Sequence, residues 1–335
     1  MELHGNHFQK SNILSVSFGS KGMKSRVNNL SLEKTDCDLC GSGNYKNLYS
    51  VPDLRFKNFK HEYSVVQCIN CGHRYLSPRP SKDSMHLIYH DNYYKNRNEV
   101  DLKQKNRFIL QADYLPKIAN GKILDIGCAG GGFLKFLKNK GWKCYGVDFI
   151  KTKYKEKGIN IKYGYLPERS FPKLFFNVIT AWGVMEHVHE PSVYFEIINK
   201  ILDNKGLFIF LIPNGDSLWS RWAFKEDIPR HIHFFRPKII KEYARQYGFK
   251  VHKIYYTNKL YSRPASGKGL FKRRFLRSLD IPWVKIINNS FDLSMLKKIQ
   301  YYFMKIFDAL LIHPKLEELF HLCGNMVVIL KKDIK

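Results

Sequence analysis

The stretch from Ile123 to Phe133, ILDIGCAGGGF, fixes more of the fold than any other part of this 335-residue chain. A short apolar run that passes straight into a glycine cluster reads as a buried strand turning sharply into a helix. The pattern recurs downstream in ILDIGC, GFLKFLKNKG, WKCYGVDF, FNVITAW, a helical segment near 191–203, and GLFIFLIP. Strands that are almost continuously apolar are covered on both faces, so this alternation predicts an α/β fold with a doubly wound sheet. Ligands of such sheets sit beyond the C-terminal ends of the strands, which puts the glycine loop at the centre of any site.

Within the loop, Asp125-x-Gly127-x-Ala129-x-Gly131 turns the backbone and opens a helix whose free amides face a ligand. The next strand ends in Asp148, placed to accept hydrogen bonds from both hydroxyls of a ribose. Together they describe an adenosine pocket. Gly127-x-Ala129-x-x-Gly132 also fits a dinucleotide fingerprint with one alanine replacement. Asp125 decides against it, because a carboxylate at the strand end repels a pyrophosphate and suits a cofactor with an ammonium and a sulfonium, as in S-adenosylmethionine.

Ahead of this sheet, Cys37, Cys40, Cys68 and Cys71 form two Cys-x-x-Cys pairs, each followed by glycine, in CDLCG and CINCG. Two residues between thiolates let both sulfurs face one ion from a tight turn, and two such knuckles make a tetrahedral four-cysteine zinc site. With four protein ligands the ion has no open position, so it is expected to hold a zinc ribbon over 34–80 together and to do no chemistry. Disulfides are the alternative and suit a cytosolic chain poorly. The segment between the knuckles is expected to be a loop or hairpin.

The motifs LDIGCAGGGFL, GVDF, WGVMEHVHEP, IPN and IPRHIHFFRP, in that order, resemble class I S-adenosylmethionine-dependent methyltransferases. The chain is most similar to the branch whose N-terminal four-cysteine zinc ribbon precedes the catalytic domain, many members of which act on sugars in surface-polysaccharide or antibiotic pathways. The likeness covers 35 to about 257 and the C-terminal strand. It implies a seven-stranded Rossmann-like methyltransferase sheet, with Asp125, Gly127, Ala129 and Gly131 on the methionine moiety, Asp148 on the ribose, and Trp182 and Gly183 beside the cofactor. For the adenine, Leu166 and Glu168 are the candidates in a region without a clear acid. A subset of related enzymes binds a divalent ion through Glu-x-x-Glu-His; here Gly183 stands at the first glutamate, so Glu186 and His187 are expected to be helix-start packing and hydrogen-bonding residues with no catalytic metal.

Methyl transfer to a hydroxyl needs a base as the acceptor attacks, and histidine suits that role. His231 and His233 in DIPRHIHFFRP are the candidates, because alternate positions of an extended segment point the same way. Arg230 is expected either to grip an anionic substrate group or to form a salt bridge within the protein. The remaining layout reads as a disordered tail over 1–33, a helical connector over 81–118, the cofactor-binding domain over 119–258, a helical lid or insertion over 259–322, and the last strand over 323–335.

The formal net charge of +27 suits an anionic partner, such as a nucleotide-linked or lipid-linked sugar. The basic amphipathic stretch 266–312 fits either a cap over the site or peripheral contact with a membrane. No apolar run approaches the ~20 residues that cross a bilayer, and the N-terminal stretch has no signal-peptide core, so the expected location is cytoplasmic, including the inner face of the membrane. RNA or protein as the acceptor, and a non-catalytic scaffold on the same fold, are the competing readings; nucleic acid is the less favoured partner.

Overall fold

In the computed structural model, the described residues are 30–56, 59, 61–89, 102–151, 157–217, 224–260 and 323–334. The first strands are β1 (Leu32–Glu33), β2 (Tyr45–Pro52), β3 (Glu62–Cys68), β4 (Arg74–Leu76) and β5 (Arg79–Pro80). The knuckles bracket an antiparallel β2–β3 hairpin, whose register pairs Tyr45 with Cys68 and Pro52 with Glu62. Leu30 to Glu33, expected to belong to a disordered tail, instead close this unit: Leu30 is buried, and Leu32 and Glu33 pair with Pro80 and Arg79. An apolar pair spaced two apart is enough to pin a short edge once a partner strand lies beside it. The rest of the expected tail, 1–29, lies outside the described residues.

Two connector helices follow, α1 (Met85–Ile88) and α2 (Leu102–Ala112), and then the sheet that the glycine loop predicts. Its elements are β6 (Lys122–Ile126), α3 (Gly132–Lys138), β7 (Lys143–Asp148), β8 (Asn160–Tyr163), β9 (Phe176–Trp182), α4 (Pro191–Ile201), β10 (Leu202–Pro213), β11 (His233–Phe234), α5 (Pro237–Gln246), β12 (Phe249–Thr257) and β13 (Asn325–Lys332). Seven strands run in the order β12-β13-β10-β9-β6-β7-β8, and only β13 is antiparallel to its neighbours. The order reverses between β6 and β9, the switch point at which the strand ends splay apart and leave a crevice.

Burial on both faces explains the composition. In β9 every residue except Asn177 is buried, and in β10 the run Phe208 to Ile212 is fully so. Phe195 of α4 packs between Phe208, Phe210 and Tyr243, and each such ring contributes about 1.5–3 kcal/mol of transfer free energy. On the opposite face, Phe133, Leu134 and Leu137 of α3 cover Ile123, Val178 and Trp182.

The ribbon is fused to this core. Asp38, inside the first knuckle, accepts hydrogen bonds from Ser192 N (2.9 Å), which satisfies an orphan donor at the start of α4, from Ser192 Oγ (2.7 Å), and from Tyr243 Oη of α5 (2.7 Å). Strand β11 leaves the sheet domain and joins the ribbon as the outer strand of β11-β4-β3-β2. The expected insertion over 259–322, including the stretch 266–312, lies outside the described residues from 261 onward.

Candidate active site

The crevice at the switch point is floored by the glycine loop. Gly127 takes φ +73°, and a Cβ there would lie 2.5 Å from Val184 Cγ2, so the position admits no side chain. Ala129 also has positive φ (+49°), and its amide donates to Asp148 Oδ2 at 2.8 Å. Asp148 Oδ1 accepts from Ile150 N at 2.9 Å. A carboxylate has about four lone-pair sites, so two backbone donors do not exhaust it, and Asp148 keeps the capacity to meet a ribose. The cavity continues past Val147 to Leu166 and to Phe149, which stacks on Tyr165 (centroids 5.5 Å, 12°). An apolar slot beside a carboxylate acceptor suits adenosine, whose ribose hydroxyls donate to the acid.

His187, Val188 and Tyr89 also line this cavity, with the Tyr89 ring 5.8 Å from that of Phe149. His187 Nδ1 donates to the Arg230 carbonyl at 2.9 Å and lies 3.2 Å from Tyr89 Oη, which fixes the tautomer and turns Nε2 inward. There it meets Glu186 Oε1 at 3.9 Å, and His231 Nε2 approaches the same oxygen at 4.0 Å. Burial pushes the Glu186 carboxyl up to about 8, and burial followed by the adjacent His231 ring pulls His187 down to about 3. Burial also lowers His231.

The four knuckle sulfurs lie within 4.8 Å of one another. Cys37 to Cys71 and Cys40 to Cys68 are each 3.5 Å apart, far beyond a disulfide bond and close to the roughly 3.8 Å edge of a tetrahedron with Zn–S bonds of ~2.3 Å. The cluster fits one tetrahedral ion.

A family model described as a methyltransferase domain matches residues 96–254. Residues 96–254 thus carry the signature of a methyltransferase domain. Over 158 residues the chain is 33% identical to an uncharacterized protein of Methanocaldococcus jannaschii, covering 45% of this chain and 64% of that relative's length. Over 166 residues it is 24% identical to a ubiquinone biosynthesis O-methyltransferase of Pseudomonas fluorescens, covering 41% of this chain and 68% of the relative. Among solved structures, a SAM-dependent methyltransferase of Archaeoglobus fulgidus is 21% identical, with a TM-score of 0.45 over 74% of this chain and 99% of its own.

Within the methyltransferase domain the predicted site residues divide. Gly127 and Asp148 line the cavity, as does Leu166, whereas Glu168 turns back to cap Tyr165 N (3.2 Å) and pairs with Lys82 (3.3 Å). Asp125 is buried beneath the loop, where its Oδ1 accepts from Thr180 Oγ1 at 2.7 Å; burial, partly offset by this bond, raises its carboxyl to about 7. Gly131 serves packing, since a Cβ there would meet Ile161 at 3.2 Å and Ile159 at 3.4 Å. Trp182 sits against Phe133 (6.0 Å, edge-on), and Gly183 N bonds the Leu211 carbonyl at 2.9 Å.

The two predicted histidines do not share a pocket. His233 is fully buried between ribbon and domain, with Nδ1 2.9 Å from His73 Nε2 and Nε2 3.3 Å from the His189 carbonyl. The segment enters an extended strand only at His233, so the alternation that would align it with His231 does not apply. Arg230 takes the internal alternative: its guanidinium meets the Asp53 carboxylate of the ribbon through two 3.2 Å bonds. Glu186 and His187, expected to be packing and hydrogen-bonding residues, are a buried carboxyl and a ring bonded to the Arg230 carbonyl, and both lie close to His231. Among the described residues no helix is long and apolar enough to cross a membrane.

Proposed function

We propose that the protein transfers a methyl group from S-adenosylmethionine to an oxygen of a small molecule, with a sugar of cell-surface biosynthesis as the favoured acceptor. The observation that carries this reading is a single cavity lined by Asp148, Phe149 and Leu166 together with His187. The bound cofactor supplies an electrophilic methyl on a sulfonium. The chain's own residues do the rest: the glycine loop and Asp148 hold one reactant, Tyr89 and Phe149 cover the gap and exclude water, and His187, the member of the Glu186, His187 and His231 cluster that lines the cavity, faces the acceptor and takes up its proton at Nε2. His233 is left out, because both ring nitrogens are already engaged.

An oxygen acceptor is favoured by the similarity to an O-methyltransferase of ubiquinone biosynthesis. The sugar class rests on the sequence resemblance and on the basic charge, which suits a nucleotide-linked or lipid-linked substrate. The four-cysteine cluster is assigned to a structural zinc. Calorimetric titration with S-adenosylhomocysteine is the first test. Binding should be micromolar, and Asp148→Ala should weaken it by tenfold or more, about 1.4 kcal/mol. Equal affinity in the variant would remove the pocket assignment; turnover with nucleotide-linked or lipid-linked sugars then tests the acceptor class.

A further inference from the structure

The connector helix α2 presents two unlike sides. On the inner side, Phe108 packs against Phe133 and Phe136 of α3, with ring centroids 5.8 and 6.2 Å away. On the outer side, Leu102 is 74% exposed and Ile109 50%, with exposed Lys105 between them, and Ile118 beyond the helix is 39% exposed. Ile109 and Ile118 line an open groove of about 450 Å³ whose far wall is Phe136 and Trp142, and whose charged members are Lys117, Lys140 and Asp113. None of these residues lines the cavity at Asp148.

The charge on this face is one-sided. From Leu102 to Lys143 the sequence holds nine lysines and arginines against two acids, Asp113 and the buried Asp125. Exposed lysines elsewhere have acidic partners, as Lys200 has Glu196 and Lys250 has Asp333, each at 2.6 Å. Lys105, Lys117, Lys140 and Lys143 are exposed and form no salt bridge among the described residues.

We propose that this face, formed by α2, the segment as far as Ile118 and the groove against α3, docks the protein on an anionic lipid bilayer. Aliphatic tips ringed by lysines match the two layers of such a surface. Anionic headgroups meet the ammonium groups, while Leu102, Ile109 and Ile118 reach the acyl boundary beneath them. Long lysine stems allow both contacts at once, since the methylenes lie on apolar surface and the charged ends stay in water. Leu102 and Ile109 are seven residues apart, close to two turns along one side of the helix, so α2 lies in the plane of the bilayer. A nucleic acid would find no exposed aromatic ring to stack on among the described residues of this face. The rim is lysine, a compact point charge that suits a diffuse anionic layer, whereas a protein carboxylate is gripped best by the fork of arginine. Taken with the methyltransferase reading, on which this step alone rests, docking favours a lipid-linked acceptor over a soluble nucleotide-linked one.

The experiment is cosedimentation of the zinc-loaded full chain with phosphatidylcholine vesicles, with and without phosphatidylglycerol, alongside calorimetric binding of S-adenosylhomocysteine. Wild type should sediment with the anionic vesicles and not with the neutral ones. It should be released as salt rises from about 0.1 M to about 1 M, where the screening length falls from ~10 Å to ~3 Å. Lys117→Gln with Lys140→Gln should weaken vesicle binding by about tenfold or more, and so should Ile109→Ser with Ile118→Ser, both with S-adenosylhomocysteine affinity kept. Wild type that ignores anionic vesicles would overturn the docking face, as would binding that either pair of substitutions leaves unchanged. A wild-type dimer that the isoleucine pair dissociates, without vesicle binding, would give the groove to a second copy and equally overturn it. S-adenosylhomocysteine binding alongside any of these failures leaves the methyltransferase reading intact. Vesicle binding that responds as expected, in a protein that fails to bind S-adenosylhomocysteine, would sink the cofactor assignment and leave the docking face standing.

Discussion

Substituting Asp53 tests how the ribbon and the active site hold one another. Its side chain and that of Arg230 are 2% and 1% exposed, and the pair spans 177 residues of sequence. Arg230 makes two 3.2 Å bonds to the carboxylate, one of 2.8 Å to the Glu226 carbonyl, and lies over the Phe56 ring at 4.8 Å. Asp53→Asn keeps the shape and the oxygen that accepts from Arg55 N and Phe56 N, but leaves the guanidinium buried without its counter-charge. Removing one partner of such a pair costs about 3–5 kcal/mol, a large share of the ~5–15 kcal/mol by which domains are stable. Replacing both, as Asp53→Leu with Arg230→Met, removes the charge along with its partner and should cost much less than the two single changes together. Urea unfolding in zinc-containing buffer reads these differences. A loss below about 1 kcal/mol for Asp53→Asn, or a double variant as unstable as the sum of the singles, would refute the claim that this pair is buried and mutually compensated.

Three further outcomes follow from the same geometry. Gly127→Ala forces a side chain into φ +73° and to 2.5 Å from Val184 Cγ2, so it should lose about 1–3 kcal/mol of stability together with affinity for S-adenosylhomocysteine; unchanged calorimetry would mean that the loop does not form the cavity floor. Cys37→Ser should release the zinc equivalent and lower the melting temperature by many degrees, because the knuckle also carries Asp38 to the start of α4; metal analysis with calorimetry checks both, and full zinc content would refute the assignment of zinc to the cysteines. Asp125 keeps its proton to about pH 7 when folded but loses it near pH 4 when unfolded, so between these values the unfolded state binds fewer protons and stability falls as pH rises. Asp125→Asn should flatten that slope in unfolding curves taken from about pH 4.5 to 7, and an unchanged slope would show that another group sets it.

The sheet was legible because its information is local. Strand β9 matches FNVITAW and β13 matches NMVVILKK residue for residue, each an apolar run bounded by turn residues. The knuckles were legible for the same reason, as their spacing is itself the ligand geometry. The active-site cluster was not. Glu186 and His231 are separated by most of α4, β10 and the segment after it, and they meet only because the amides of Ile232 and His233 close on the Glu186 carbonyl. Nothing in DIPRHIHFFRP reveals that one histidine turns to Glu186 and the other to the ribbon.

The short segment from Arg230 to Phe234 connects these observations. Arg230 anchors it to Asp53 of the ribbon, its carbonyl sets the His187 tautomer, His231 faces Glu186, and His233 and Phe234 continue the ribbon sheet against Tyr75 and Arg74. Each residue thus makes a different contact, and three of them depend on the ribbon being folded. Residues that position the acceptor end of the cavity are therefore held in place by a module whose own small core depends on four cysteines. Loss of the metal at those cysteines would release Asp38 from α4 and loosen β4 beneath β11, and through β11 the placement of His231. The ribbon thus buttresses the segment that carries His231, and a metal held by its cysteines would act on the cavity through position alone.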